Sequence, residues 1–423
     1  MSDQAMLSSE NPKGAYARLY AVLGGLYLAQ GIPTYLLLVA LPPLMRESGA
    51  SRTAIGLFYL LMIPLIAKFA IAPLVDRHPL IKKWGHRRSW VIVTQIIVSL
   101  GIASMALVEP QQAGILFVIC FCITLLSSLQ DIATDGFAVR HLNDQTRATG
   151  NAIQAGAVAL GVIMGGTLAL VLFHKIGWRP TILIVAALSL LPLLAALWMD
   201  ERRDKVPNEA APQPSLKRFF EQPNAWYILC FALTYRASEG MVRGMEGAYL
   251  VDIGLPLPWI GYLSGASAAT AGLVGAVLAA LLIRATGLFS TLIILGLARS
   301  ICFLALTFNA GEIWPGIEVA MAASAFQTFL RYMELVAIYS LFMKFSSSEQ
   351  PGTDFTILAC AELLIYLIGS SVAGYLADKF GYMDLFMLAT VLSLLGITLT
   401  FFILRKIFVS SEENSQRGWR PIR

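Results

Sequence analysis

Charge is scarce in this chain: 13% of its 423 residues are charged and 57% are hydrophobic, where an ordinary soluble domain carries roughly 25% charged residues. That composition excludes a water-facing surface over most of the molecule. Histidine is scarcer still, and His78, His86, His141 and His174 all fall between or at the ends of apolar runs. Embedded acyl-transfer or metal chemistry would want histidine within the apolar segments, so an enzyme is not expected, nor a metal or an organic cofactor. No Gly-rich phosphate loop or nucleotide-binding segment is present, so any work the protein does must draw on an ion or solute gradient. Cys120, Cys122, Cys230, Cys302 and Cys360 lie in apolar runs without metal-site or disulfide spacing and are expected to be buried packing residues. The net charge of +5 is not gathered into a nucleic-acid-binding face. The first ~16 residues are polar and lack a signal-peptide pattern, so the first apolar segment should stay uncleaved.

Long apolar runs are abundant, such as Ile92 to Val108 and Ile182 to Met199. A bilayer-crossing helix needs about 20 mainly apolar residues, and backbone groups in hydrocarbon must be satisfied internally. The runs lack the alternation of barrel strands. They predict an all-α integral membrane protein with twelve transmembrane helices, at 17–40, 53–76, 89–108, 112–141, 149–173, 179–199, 223–251, 257–284, 288–309, 314–345, 352–378 and 382–408. With the amino terminus inside, about two-thirds of the 31 lysines and arginines fall on the cytoplasmic side. Only Arg46, Arg52, Lys175, Arg179 and Lys379 fall outside, so the positive-inside rule puts both termini in the cytoplasm. The charged, proline-rich stretch 200–222 divides a six-helix half at 1–199 from a second at 223–408, followed by a tail at 409–423. Two such halves rocking about a midplane site make a transporter architecture.

Several ionisable residues fall inside these spans: Lys68, Arg236, Arg243, Arg299 and Arg331 among the bases, and Asp131, Asp135, Glu239, Glu246, Glu334 and Glu362 among the acids. Each costs on the order of 3 kcal/mol at mid-bilayer unless it meets a partner or a wet cavity. At 100° per residue, Arg236, Glu239, Arg243 and Glu246 form a stripe roughly 80° wide. Gln327, Arg331 and Glu334 form a second narrow stripe, and the two are expected to face a shared cavity. Arg236, Glu239, Arg243, Gln327, Arg331 and Glu334 are therefore candidate substrate contacts; the alternative is that they are interhelical ion pairs that set packing. Arg299, on a helix expected at the periphery, is read as such a packing pair. Asp131 and Asp135 are stacked at i, i+4, either as a proton relay or as a gate-closing salt bridge. Lys68 lies near a helix end, where it could snorkel.

The stretch Ala72-Pro73-Leu74-Val75-Asp76-Arg77, followed by Gly85-His86-Arg87-Arg88, resembles the loop signature of the major facilitator superfamily, with an insertion between the acid and the glycine. Asp76 with Arg87 or Arg88 would act there as a gating latch. The stretches LYLAQGIPTYLLLVALPPLMRESG, IPLIAKFAIAPLVDR and SLQDIATDGFAVRHL resemble the muropeptide-permease and acetyl-CoA-transporter branch of that superfamily. EQPGTDFTILACAELL is most similar to the rhizobactin and pyochelin type of siderophore permeases. The resemblance implies a monomeric, proton-coupled importer of a siderophore, iron-loaded or free, across the bacterial inner membrane. A muropeptide or other amphiphilic metabolite is the alternative cargo, and a non-transporting receptor or scaffold the alternative class. Residues carried over by the resemblance are Gln30, Pro33, Lys68, Asp76, Gln130, Asp131, Asp135, Thr353, Asp354 and Glu362. Of these, Gln30 and Lys68 are assigned to substrate, and Asp131, Asp135 and Glu362 to proton coupling.

The charge asymmetry sets a direct test of topology. Single cysteines introduced in 78–86 or 200–222 of a cysteine-free chain should react with an impermeant thiol reagent only after cells are opened. Labelling of both sites in intact spheroplasts would reverse the orientation.

Overall fold

The computed structural model describes residues 12–142, 147–201, 216–346 and 351–416. Most of the expected linker, residues 143–146 and 347–350 and the end of the tail lie outside the described residues. Among the described residues all regular structure is helical. We label the rods α1 (12–47), α2 (52–77), α3 (His86–Met105), α4 (Ala113–His141), α5 (147–176), α6 (178–197), α7 (225–252), α8 (257–286), α9 (288–310), α10 (Ile317–Phe345), α11 (351–380) and α12 (382–416). The helix pairs α8/α9 and α11/α12 turn at Gly287 (φ 80°) and Gly381 (φ 86°), backbone conformations that favour glycine because it has no Cβ. The last rod runs on to Gln416, beyond the expected end at 408.

Seven helical stretches among the described residues are long and apolar enough to cross a membrane. The rods α2, α7 and α10 are not in that set, because they are interrupted or carry polar and ionic residues. Large apolar side chains point outward along the rods, including Leu100, Trp226 and Ile301, as suits a surface solvated by hydrocarbon rather than water. The cysteine expectation needs correction: Cys120 and Cys302 are buried, whereas Cys230 and Cys360 are half-buried and Cys122 is exposed. On a lipid-facing helix an apolar run does not imply burial in protein.

The interruptions follow from local chemistry. Pro42 and Pro43 lack amide hydrogens and would clash with preceding carbonyls, and the backbone widens into a π turn at Leu36–Ala40 just before them. Pro64 stands in the first turn of the helical stretch Ile63–Arg77 of α2, just after a 3-10 turn at Tyr59–Met62. In α7 the helix breaks at Tyr235 and Arg236 before restarting at Ala237.

The chain packs as two compact units. The first contains Met1–Ala50, Leu61–Pro207 and Pro256–Ala266; the second contains Ser51–Leu60, Asn208–Leu255 and Ser267–Arg423. The core of the first gathers Leu23, Leu26, Val91, Ala133 and Phe137, and that of the second Phe231, Phe342, Leu358 and Leu404. In the first unit α1 and α5 meet at backbone distance: a Cβ on Gly161 would lie 2.6 Å from the Cα of Gly31. In the second, the start of α2 is fastened to α7, α11 and α12. Arg52 Nη2 donates to Asp252 at 2.9 Å, Tyr382 Oη to the same carboxylate at 2.7 Å, and Thr53 N and Oγ1 to Asp378 at 2.8 and 2.6 Å.

Gly161→Ala should therefore lower thermal stability by about 1–3 kcal/mol, the usual cost of overpacking. Gly156→Ala, on the same helix with nothing within 4 Å of its Cβ, should be neutral or slightly stabilising. Thermal unfolding of both purified variants checks this; equal effects would remove the close α1–α5 contact as a constraint.

Candidate functional site

The second unit holds the ionic stripe of α7 together with that of α10. Arg236 is 2% exposed and pairs with Glu239 one turn along α7 and with Glu362 on α11. Glu334 on α10 takes Arg299 Nη1 at 2.9 Å and the Tyr235 hydroxyl at 3.1 Å. Arg299 also donates from Nη2 to the Tyr235 carbonyl at 2.8 Å, which the break in α7 leaves without an ordinary helical partner. Farther along α7, Arg243 Nη1 lies 2.7 Å from Glu246 and 3.4 Å from Thr328 Oγ1, and Ser324 donates to Glu246.

Within this network one member stands apart. Arg331 Nε lies 3.2 Å from Glu239 Oε1, yet neither atom has an aligned hydrogen-bond partner. The Arg331 side chain is 29% exposed against 1% for Glu239. One helical turn earlier, Gln327 is 2% exposed, and both its amide oxygen and its amide nitrogen are without a partner. An orphaned buried amide costs about 1–3 kcal/mol, so a group able to satisfy it gains that much. Gln327 and Arg331, four residues apart on one helix face, thus present an amide and a planar guanidinium fork together, suited to a carboxylate and an adjoining peptide or acetamido group.

The first unit has a smaller cluster. Lys68 on α2 pairs with Asp131 on α4 and lies 3.8 Å from Asp135 Oδ2. Tyr27 on α1 donates to Asp135 at 3.3 Å. Gln30 on α1 has an unpartnered buried amide nitrogen. Lys68 is therefore engaged with carboxylates rather than only snorkelling.

Other expected contacts fall elsewhere. Glu362 belongs to the Arg236 network in the second unit, whereas Asp131 and Asp135 belong to the first. Arg299, expected only as a packing pair, is the ion partner of Glu334. The side chains of Asp76 and Thr353 lie outside the described residues. Arg87 lies against Gly136 and reaches the Ile132 and Ala133 carbonyls at 3.4 and 3.5 Å. The Arg88 backbone N–H donates to Glu201 at 2.7 Å. Gln130 donates to Gln95, which reaches the Ser189 carbonyl, and Asp354 accepts from Gln222 at 2.8 Å. Sequence reasoning did not find Tyr27, Tyr235 or Glu201. A tyrosine gives no charge signal, although Tyr235 adjoins Arg236 in the chain, and Glu201 reads as part of the linker.

Arg299 and Glu334 set a test of what the buried pairs contribute. Arg299→Leu or Glu334→Leu alone should cost about 3–5 kcal/mol, because each leaves a buried charge uncompensated, whereas the double substitution should cost less. Thermal stability and membrane abundance read this out; single variants indistinguishable from the parent would mean the pair is not energetically coupled.

Comparison with known proteins adds the family. The chain is 27% identical over 417 residues to the anhydromuropeptide permease of Escherichia coli (strain K12), covering 94% of this chain and 81% of that one. It is 23% identical over 396 residues to putative transporter AmpG 4 of Rickettsia felis, covering 90% and 95% respectively. Among solved structures, a bacterial homologue of the iron transporter ferroportin, in an inward-facing state, matches with a TM-score of 0.67 at 16% identity, covering 93% of this chain and 99% of that one. A bacterial homologue of the human lysosomal transporter Spinster, inward-facing and occupied, matches at 0.69 with 15% identity, covering 94% and 98%. These structural likenesses bear on the fold alone. The expected closeness to siderophore permeases finds no support in these relatives, which are muropeptide permeases and AmpG-type transporters of the expected branch. Residues 23–315 match the profile of the Major Facilitator Superfamily, and the chain belongs to that superfamily of secondary transporters.

Proposed function

We propose that this protein is a muropeptide permease of the bacterial cytoplasmic membrane, with twelve spans in two halves and both termini inside, importing its cargo with protons as a monomer. The kinship with anhydromuropeptide permeases over nearly the whole chain supports the cargo class. A muropeptide joins a saccharide to a short peptide, and so offers carboxylates, amides and hydroxyls but little apolar surface. The observation that carries the reading is the pairing of Arg331, half-buried and poorly aligned with Glu239, with the unpartnered amide of Gln327. A cargo carboxylate bound by the Arg331 fork would take over from Glu239, and a cargo amide would satisfy Gln327. Because a ligand shifts a conformational equilibrium only through its different affinity for the two states, an exchangeable ion pair of this kind can couple binding to rearrangement.

Proton coupling is assigned to Asp135. The Lys68 cluster holds two carboxylates against one ammonium, so it carries an excess negative charge that one proton neutralises, and neutrality lowers the cost of exposing the cluster to a drier environment. Asp131 makes the direct bond to Lys68, which leaves Asp135, held by Tyr27 at 3.3 Å, as the exchangeable site. Asp76, Arg87 and Arg88 remain assigned to gating.

The test uses a host lacking its own muropeptide permease. Cells carrying this protein should accumulate radiolabelled anhydromuropeptide, accumulation should stop when the proton gradient is collapsed, and uptake of iron from a panel of ferric chelates should equal that of the empty host. Uptake of a chelate without uptake of muropeptide would transfer the assignment to siderophores, and absence of any uptake in proteoliposomes would favour a receptor. Asp135→Asn should abolish accumulation while leaving downhill exchange of labelled for unlabelled cargo; undiminished accumulation would remove Asp135 from the coupling step.

A further inference from the structure

Away from the ionic network, the first unit contains a polar cavity of about 740 Å³ whose lining includes Arg18, Lys82, Lys83, Arg88 and Glu201. It lies where the start of α1, the short 3-10 turn Lys82–Trp84, the start of α3 and the end of α6 converge. Its acids are engaged in part: Oε1 of Glu201 accepts a hydrogen bond, whereas Oε2 is buried without a hydrogen-bond partner. Glu201 accepts the Arg88 backbone N–H at 2.7 Å and packs so closely on Gly85 that a Cβ there would lie 2.4 Å from Oε2; this carboxylate therefore serves the N-terminus of α3. Asp200 has an interaction partner of its own. Lys82 and Lys83 are exposed and have no acidic partner among the described residues. Arg18 is held over the cavity by its bonds from Nε and Nη2 to the Trp198 carbonyl, at 3.2 and 2.9 Å. Four cations thus face two acids, and the lysines have charge to spare.

The surroundings decide what kind of anion fits. In its lining Trp84 and Leu197 are exposed, and along the chain next to these Leu80, Leu194 (62%) and Trp198 (60%) are exposed as well. Exposed tryptophans with an apolar body and a polar edge mark the headgroup level of a bilayer, and the leucines continue the apolar surface from the rim. A free phosphate metabolite would use the cations and leave this surface bare. A phospholipid would use both, and basic pockets beside membrane helices hold anionic lipid head groups. We infer that this cavity is a headgroup site for an anionic phospholipid, with Lys82, Lys83 and Arg18 holding the phosphate and the acyl chains lying along α6 past Trp198 and Leu194. The site is distinct from the cargo-binding face of α10 and does not depend on the cargo assigned above.

Native mass spectrometry of the full chain, delipidated in detergent and titrated with phosphatidylglycerol or phosphatidylcholine, tests the inference. Phosphatidylglycerol should be retained in preference to phosphatidylcholine. Lys82→Gln with Lys83→Gln should weaken that retention by about fivefold per lysine, the usual contribution of a basic residue at an anionic surface, while Lys82→Arg with Lys83→Arg should preserve it. Glycerol 1-phosphate, which has the phosphate without the chains, should not displace the lipid. Equal retention of the two lipids, or phosphatidylglycerol binding unchanged in the double glutamine variant, would overturn the site. Displacement by glycerol 1-phosphate at lipid-like concentrations would show a pocket for soluble phosphates instead.

Discussion

The cost of an uncompensated charge in hydrocarbon governs this molecule. Arginines and glutamates are placed within segments that otherwise read as lipid-soluble, and each must find an opposite charge or water. In the second unit four arginines and four glutamates do so almost completely: Arg236 with Glu239 and Glu362, Arg299 with Glu334, Arg243 with Glu246, and Arg331 with Glu239. Such pairs are weak evidence for stability, because desolvation offsets much of the attraction. They specify arrangement instead, since each fixes which helix faces which.

That requirement also explains the broken backbone of α7. A continuous helix would keep the Tyr235 carbonyl within its own hydrogen-bond ladder; the break at Arg236 releases it to Arg299. Irregular backbone at membrane depth is tolerated where protein surrounds it, and Tyr235 and Arg236 are nearly fully buried. The loosely held pair of this network, Arg331 with Glu239, occurs where the arginine is half-buried rather than fully enclosed. A fully satisfied network would have nothing to offer a solute, whereas one misaligned pair beside an unpartnered amide offers both a charge and a dipole at small cost. The Lys68 cluster of the first unit differs in kind, setting two carboxylates against one lysine.

The helical character of the chain was legible in its apolar runs, and the two ionic stripes in the 3.6-residue spacing of α7 and α10. The partners of those stripes were not. Arg299 sits alone among apolar residues on α9, and periodicity could state only that it needs an acid, not that Glu334 supplies it. Gln327 was visible as part of a polar stripe, but its lack of partners is a property of packing. Burial was misjudged at Cys122 because hydropathy cannot distinguish a lipid-facing position from a protein-facing one when both environments are apolar. The relatives back the muropeptide alternative better than the siderophore reading suggested by the local motif around Gly352 to Glu362, where Asp354 bonds Gln222 and Glu362 bonds Arg236 within the second unit. Kinship along the whole chain weighs more than that short stretch.

The proposed displacement of Glu239 from Arg331 by a cargo carboxylate is tested most directly by equilibrium binding. Purified protein would be titrated with an anhydromuropeptide bearing a free peptide carboxylate and with the same compound amidated at that position. A charge-assisted hydrogen bond contributes about 1.5–3 kcal/mol, so the acid should bind roughly tenfold to a hundredfold more tightly, and Arg331→Gln should abolish the difference while still binding the amide. Equal affinity for acid and amide in the unaltered protein, or discrimination that survives Arg331→Gln, would contradict the account.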